Sequence, residues 1–167
     1  LASVYYDNTF AEKYLLHFDG NYRKSDSGND VSTIYPEGEA EDVRSSDKRK
    51  SELWAAKLYL SFPLKNGSIT IGTQNTFTHT TLDYKMLNAS VGEYIPSSLT
   101  DARQISAAAF ASWDKSFDKL NLSAGLRYEY VDYLFKVNGV ADQDVSRKHN
   151  MLTPDISVGY MFSERSQ

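Results

Sequence analysis

From Leu120 to Tyr130 the chain alternates without a break. Leu120, Leu122, Ala124, Leu126, Tyr128 and Tyr130 are apolar or aromatic, and Asn121, Ser123, Gly125, Arg127 and Glu129 lie between them. Successive side chains of a β-strand point to opposite faces, so a strand converts this pattern into one greasy face and one polar, charged face. A helix would scatter the same residues around its axis. The pattern recurs in Trp54–Phe62, with Trp54, Ala56, Leu58, Leu60 and Phe62 on one face. It recurs in Leu152–Phe162, where Ile156, Val158 and Tyr160 alternate with Asp155, Ser157 and Gly159, and in Leu16–Arg23. Ser68–Thr80, with Ile69, Ile71 and Phe77 on one face, and the alanine-rich Ile105–Trp113 are weaker strands, and the faces of the latter stay unassigned. Val4–Phe10 completes a set of seven expected strands.

The connections alternate in length. Tight turns are expected at about 11–13, 63–67 and 116–118, and Asn66-Gly67 suits a hairpin because both residues tolerate positive φ. Long polar loops are expected at about 24–50, 81–103 and 134–148. Short turns at one end and long loops at the other is the arrangement of outer-membrane barrels. Aromatic residues cluster near the strand ends, as in the two girdles of such barrels. The expected fold is therefore all-β: a single segment, residues 1–167, forming an antiparallel up-and-down meander that is part of a transmembrane β-barrel. Leu58, Leu60, Leu120, Leu122, Leu126, Ile156 and Val158 are expected to face lipid, and Lys57, Arg127, Glu129 and Asp155 the lumen. Trp54, Phe62, Trp113, Tyr128, Tyr130 and Tyr160 are expected in the girdles.

Composition agrees with this reading. Aromatic residues make up 13% of the 167 positions, and 12 of them are tyrosine, whose apolar ring and wet hydroxyl suit interfaces. No run approaches the 18 or so apolar residues of a membrane-spanning helix. The mean hydropathy of −0.50 reads as soluble, but a barrel strand is apolar only at every second residue and keeps a low mean. Leu1–Tyr6 lacks the basic and apolar regions of a signal peptide, so any export signal is expected to have been removed or to lie upstream. The net charge of −4 and the absence of a basic stripe argue against nucleic acid. Without cysteine there is no disulfide, thiolate metal site or cysteine nucleophile.

One stretch resembles a known family. Ser106-Ala107-Ala108-Ala109-Phe110-Ala111-Ser112-Trp113, a tight turn, and Ser123-Ala124-Gly125-Leu126-Arg127-Tyr128-Glu129-Tyr130 are similar to the barrel of TonB-dependent receptors and the outer-membrane barrels related to them. There a strand of the form A-A-Y-A-S-Y leads into one containing A-G-L-R-Y-E, and Phe110 and Trp113 stand where tyrosines are common. The hairpin at Trp54–Gly67 and the strand at Leu152–Tyr160 extend the resemblance over roughly residues 50–162. It implies a bacterial outer-membrane location and a role in nutrient uptake. It also implies lipid and a small nutrient as partners, with the TonB complex engaged through a region absent here. Such receptors have a plug domain and about 22 strands. This chain has neither a plug nor a TonB box and ends Glu164-Arg165-Ser166-Gln167, so it is expected to be an internal segment of a longer barrel.

Searches for chemistry return little. His17, His79 and His149 lack metal-ligand spacing. The acidic stretch Glu37–Asp42 lacks the EF-hand ligand order. Ser45-Ser46-Asp47-Lys48 and Ser112-Trp113-Asp114-Lys115 match S-x-x-K without its partner motifs. Of the sequons at Asn66, Asn88 and Asn121, two fall on expected strand or hairpin-turn positions, so glycosylation is not a useful reading. Arg127, Glu129, Lys57, Asp19 and Arg23 are read as structural lumen charges. No catalytic residue, cofactor or metal is expected, and the chain is expected not to be an enzyme. Two other readings remain at this point: a soluble lipocalin-like barrel binding a small apolar ligand, and a small structural or adhesion barrel of the outer membrane.

Overall fold

The computed structural model describes residues 1–33, 43–88 and 95–162. They form one all-antiparallel sheet: β1 (Ala2–Phe10), β2 (Tyr14–Thr33), β3 (Val43–Leu64), β4 (Gly67–Met86), β5 (Ser98–Phe117), β6 (Leu120–Val137), β7 (Val140–Ala141) and β8 (Arg147–Tyr160). Each long strand pairs with the next in the chain, and both β7 and β8 pair with β6. β7 and β8 act as one strand interrupted by a bulge at residues 142–146. There the Asp142 carboxylate accepts the backbone N–H groups of Asp144 and Val145, and the Ser146 hydroxyl bonds Phe135. Seven long strands therefore stand as the alternation indicates, with β7 as the start of the last.

The register follows from the alternation. Leu16 lies opposite Leu60, Leu60 opposite Ile71, Ile71 opposite Ala111, Ala111 opposite Leu126, and Leu126 opposite Pro154. One greasy row thus crosses six strands. A one-residue slip anywhere would carry a strand's whole apolar set to the other face, so the side-chain pattern pins the pairing. The same rows settle the alanine-rich strand: Ile105, Ala107, Ala109, Ala111 and Trp113 join the apolar face, and Ser106, Ala108, Phe110 and Ser112 the polar one.

Two sets of expected boundaries move. The long loops expected at 24–50, 81–103 and 134–148 are largely strand: β2 runs on to Thr33, β3 begins at Val43, β4 ends at Met86, and β5 begins at Ser98. β6 continues to Val137, and β8 starts at Arg147. Beyond the apolar band β2 and β3 are polar on both faces and the alternation vanishes, but the backbone ladder continues because register is already set below. The turns expected at 63–67 and 116–118 shrink to Lys65-Asn66 and Asp118-Lys119, while Ala11–Lys13 stands. Ala11, Glu12, Asn66 and Asp118 carry the positive φ, between 47° and 58°. Gly67 is not a positive-φ residue but a strand residue paired with Leu64. A Cβ there would run into the Asp114 backbone of β5, so this glycine permits a close strand approach rather than the turn.

No apolar core exists in this single layer. Among the described residues only Ala108, at 5% exposure, and Ser106, at 8%, are buried. Both lie on the polar face of the central strand. The leucines and isoleucines of the other face have no protein cover, as Leu58 at 44% and Leu126 at 48% illustrate.

Candidate functional site

The polar face carries a connected set of side chains. Arg127 on β6 donates from Nε to Glu129 at 3.2 Å and from Nη1 to Gln74 on β4 at 3.3 Å. The second bond runs diagonally across β5, past Ala108, which lies opposite both Gln74 and Glu129 and is small enough to leave room. The Ser106 hydroxyl donates to Glu129 at 2.5 Å. Lys57 on β3 likewise reaches across β4. Its ammonium lies 5.8 Å from the Phe110 ring centroid on β5 and 5.4 Å from that of Tyr59. Gly72, between Tyr59 and Phe110, makes room: a Cβ there would meet the Phe110 ring, the Leu58 carbonyl and Tyr59 Cβ, all at 2.6 Å. Asp155 leans over Gly125 in the same way. Nearer the β1 edge, His17 stacks on Tyr59 at 4.5 Å between centroids and bonds Asp7 at 2.6 Å, and the Tyr5 hydroxyl also donates to Asp7.

Among the described residues the side-chain contacts between alternate strands, Arg127 to Gln74 and Lys57 to Phe110, both lie on the polar face, as expected of a sheet that curves toward that face. A lipocalin-like calyx would instead hold the leucines on its concave side.

Lys57, Arg127, Glu129 and Asp155 all lie on the concave polar face by register. Leu58, Leu60, Leu120, Leu122, Leu126, Ile156 and Val158 all lie on the opposite face. Trp54, Phe62, Trp113, Tyr128, Tyr130 and Tyr160 share that apolar face and fall toward its two margins. Trp54, Tyr128 and Tyr130 stand toward the long-hairpin side, and Phe62, Trp113 and Tyr160 toward the tight turns. The acidic stretch Glu37–Asp42 lies outside the described residues. His17 and His149 are on the polar face and His79 on the other, where it bonds Asp101 at 2.7 Å.

The apolar face has a sharp upper limit. Above Trp54, Phe77 and Ile105 the next row reads Lys24, Glu52, His79 and Arg103, each opposite the next. The Trp54 indole donates to Glu52 at 3.2 Å across this line. On β6 and β8 the limit is marked by Asp132 and Lys148, paired at 2.9 Å; hydrogen bonding to Asp132 raises the lysine pKa.

From β2 to β5 the limit follows one hydrogen-bond row, through Tyr22, Trp54, Phe77 and Ile105; beyond them the apolar residues stop at Tyr130 on β6, two positions below that row, and at Leu152 on β8, four positions below it. Strands of closed barrels tilt by about 35–45° for geometric reasons, so the edge of a membrane-facing band need not keep to one row.

An antiparallel meander with one greasy face between aromatic margins has the pattern of the wall of a membrane β-barrel. The chain belongs to the outer membrane protein beta-barrel family, whose model matches residues 8–167, and its place is the bacterial outer membrane, in association with membrane lipid. A comparison with curated proteins gave no match.

The serines and arginines of the upper polar face, among them Ser25, Ser27, Arg49 and Ser51, were not legible as a site. They fall where both faces are polar, so no alternation marks which of them line the concave side.

Proposed function

We propose that this segment is part of the barrel wall of a TonB-dependent outer-membrane receptor that takes up a small nutrient. Its convex leucine face would stand against lipid and its polar face would line the lumen. The observation that carries this reading is strand length. β2 to β5 are 20–22 residues long, whereas about 9–11 tilted residues cross a bilayer. The remaining half of each strand stands above the apolar band and extends the lining face into a polar vestibule, which suits capture of a solute from outside. The A-G-L-R-Y-E stretch of β6 supports the same family.

Strand direction adds to it. Six antiparallel steps separate β1 from β8, so the two edges run the same way. Closing them on each other would need a parallel pair, and bacterial barrels of this kind have an even number of antiparallel strands. Bare edges cannot face lipid, which offers no hydrogen bonds. An odd number of further strands must therefore complete the wall.

The test is the mass and energy dependence of the native protein. An antibody against this segment should detect an outer-membrane band several times its 18.9 kDa, and uptake of the cognate nutrient should stop when TonB is deleted. A folded native band near the segment's own mass would overturn the receptor reading and favour the small outer-membrane barrel. We infer also that the segment is not catalytic. Screening the purified protein against ester, glycoside and peptide substrates should give no turnover, and turnover abolished by His17→Ala or His79→Ala would refute this.

A further inference from the structure

The concave face holds a groove of about 370 Å³ in the upper halves of β2 and β3, above the aromatic margin. Its floor is hydroxylic: Ser25 lies opposite Ser51, and Ser27 and Thr78 flank them. Its two ends are arginines. Arg49 lies opposite Ser27, and Arg23 is four residues from Ser27 along β2, so the two guanidinium stems rise about 13 Å apart along the strands at about 3.3 Å per residue. Among the described residues neither arginine is ion-paired. This contrasts with Arg127 lower on the same face, which is engaged by Glu129 and Gln74. Asp47, two residues from Arg49 on the same face, forms no ion pair with it.

We propose that this groove binds an oxygen-rich ligand carrying at least two anionic groups, one held by Arg23 and the other by Arg49, with the serines bonding the body between them. A guanidinium presents a planar fork of donors that matches carboxylate or phosphate oxygens in bidentate fashion and stays charged at every physiological pH. Serine hydroxyls donate or accept as the ligand requires. The lining has one apolar side chain, Leu53, so a purely apolar ligand has little to bind. The inference rests on the reading of the concave face as the lumen, and deepens it by naming the class of ligand that enters.

The experiment uses the complete protein in detergent and titrates citrate, pyrophosphate, inorganic phosphate and the neutral sugar maltotriose by calorimetry. Citrate or pyrophosphate should bind, inorganic phosphate should bind at least tenfold more weakly, and maltotriose should not bind. Citrate preferred over pyrophosphate assigns a polycarboxylate, and the reverse order a phosphorylated ligand. Arg23→Gln and Arg49→Gln should each weaken binding at least tenfold, and affinity should fall steeply with added salt. Binding of no anion, or binding indifferent to both substitutions, overturns the proposal. The same sample reports on the lumen reading separately, through quenching of Trp54 and Trp113 by brominated lipid after reconstitution. Strong quenching with no anion binding sinks the groove and leaves the barrel intact. Absent quenching sinks the lumen assignment on which the groove depends.

Discussion

A cation placed on the convex face should cost most at mid-height and little at the margins. Leu58 is the residue for this test. It lies four residues from Trp54 and four from Phe62, the two ends of the apolar run of β3. Four residues amount to about 13 Å of strand, or about 10 Å along the membrane normal at the tilt of about 40° usual in barrels. Leu58 is then close to the midplane of an apolar band about 25 Å tall. An arginine on the lipid face costs about 2–4 kcal/mol at the midplane and about 0–1 kcal/mol near the interfaces. Leu58→Arg should therefore destabilise by about 3 kcal/mol, and Trp54→Arg by far less through its charge, with the loss of the Tyr22 ring contact and of the Glu52 hydrogen bond added. Ser61→Arg, on the opposite face three residues along, should be nearly neutral, because the lumen is wet. The assay is urea unfolding of the complete protein in phosphatidylcholine vesicles, followed by tryptophan fluorescence. Equal costs for Leu58→Arg and Ser61→Arg would refute the assignment of faces. Equal costs for Leu58→Arg and the marginal site would refute the depth.

Further outcomes follow from the packing. Gly72→Ala should destabilise by about 1–3 kcal/mol in the same unfolding assay, the range for forcing extra volume into a packed site. Adding Phe110→Ala should not restore stability, because the Leu58 carbonyl also blocks the new methyl. Arg127→Ala and Gln74→Ala, placed two strands apart, should couple by at least 0.5 kcal/mol in a double-mutant cycle, the lower end for residues in direct contact. Strict additivity would mean that the bond over Ala108 does not form in solution. Trp113→Phe and Trp54→Phe should each remove part of the tryptophan fluorescence that brominated phospholipids quench in the complete protein, because both indoles lie on the apolar face near opposite margins. A tryptophan quenched by aqueous iodide instead would place its row in the lumen.

The lower half of the sheet was plain in the sequence, and the upper half was not. Below Trp54 and Tyr130 each strand separates two solvents, so apolar residues recur at every second position and Leu120–Tyr130 announces both its conformation and its faces. Above that line the same strands run between water and water. Lys24–Thr33 and Val43–Lys50 carry serine, aspartate and basic residues on both sides, a composition shared with loops. Only backbone pairing, which leaves no trace in side-chain polarity, holds them extended. The faces of β5 were hidden for another reason. Its alanines on the apolar side and its Ser106 and Ala108 on the polar side look alike in sequence. Their roles separate only when Arg127 and Gln74 are seen meeting above Ala108. The arginine groove inherits the first difficulty, since its parts lie in segments that read as loop.

The drop of the apolar limit over β6 and β8 has a consequence for the polar face. Residues joined by one hydrogen-bond row do not all share a depth. The row of Arg23 crosses β6 at Tyr133, and the two-position drop of the limit on β6 sets Arg23 level with Val131 instead. In a lumen lined by this face the side chains would follow a spiral rather than a stack of rings: Arg23 would approach the height of the Arg127–Glu129 pair a few strands away, while Arg49 would stand about 13 Å higher along the strand.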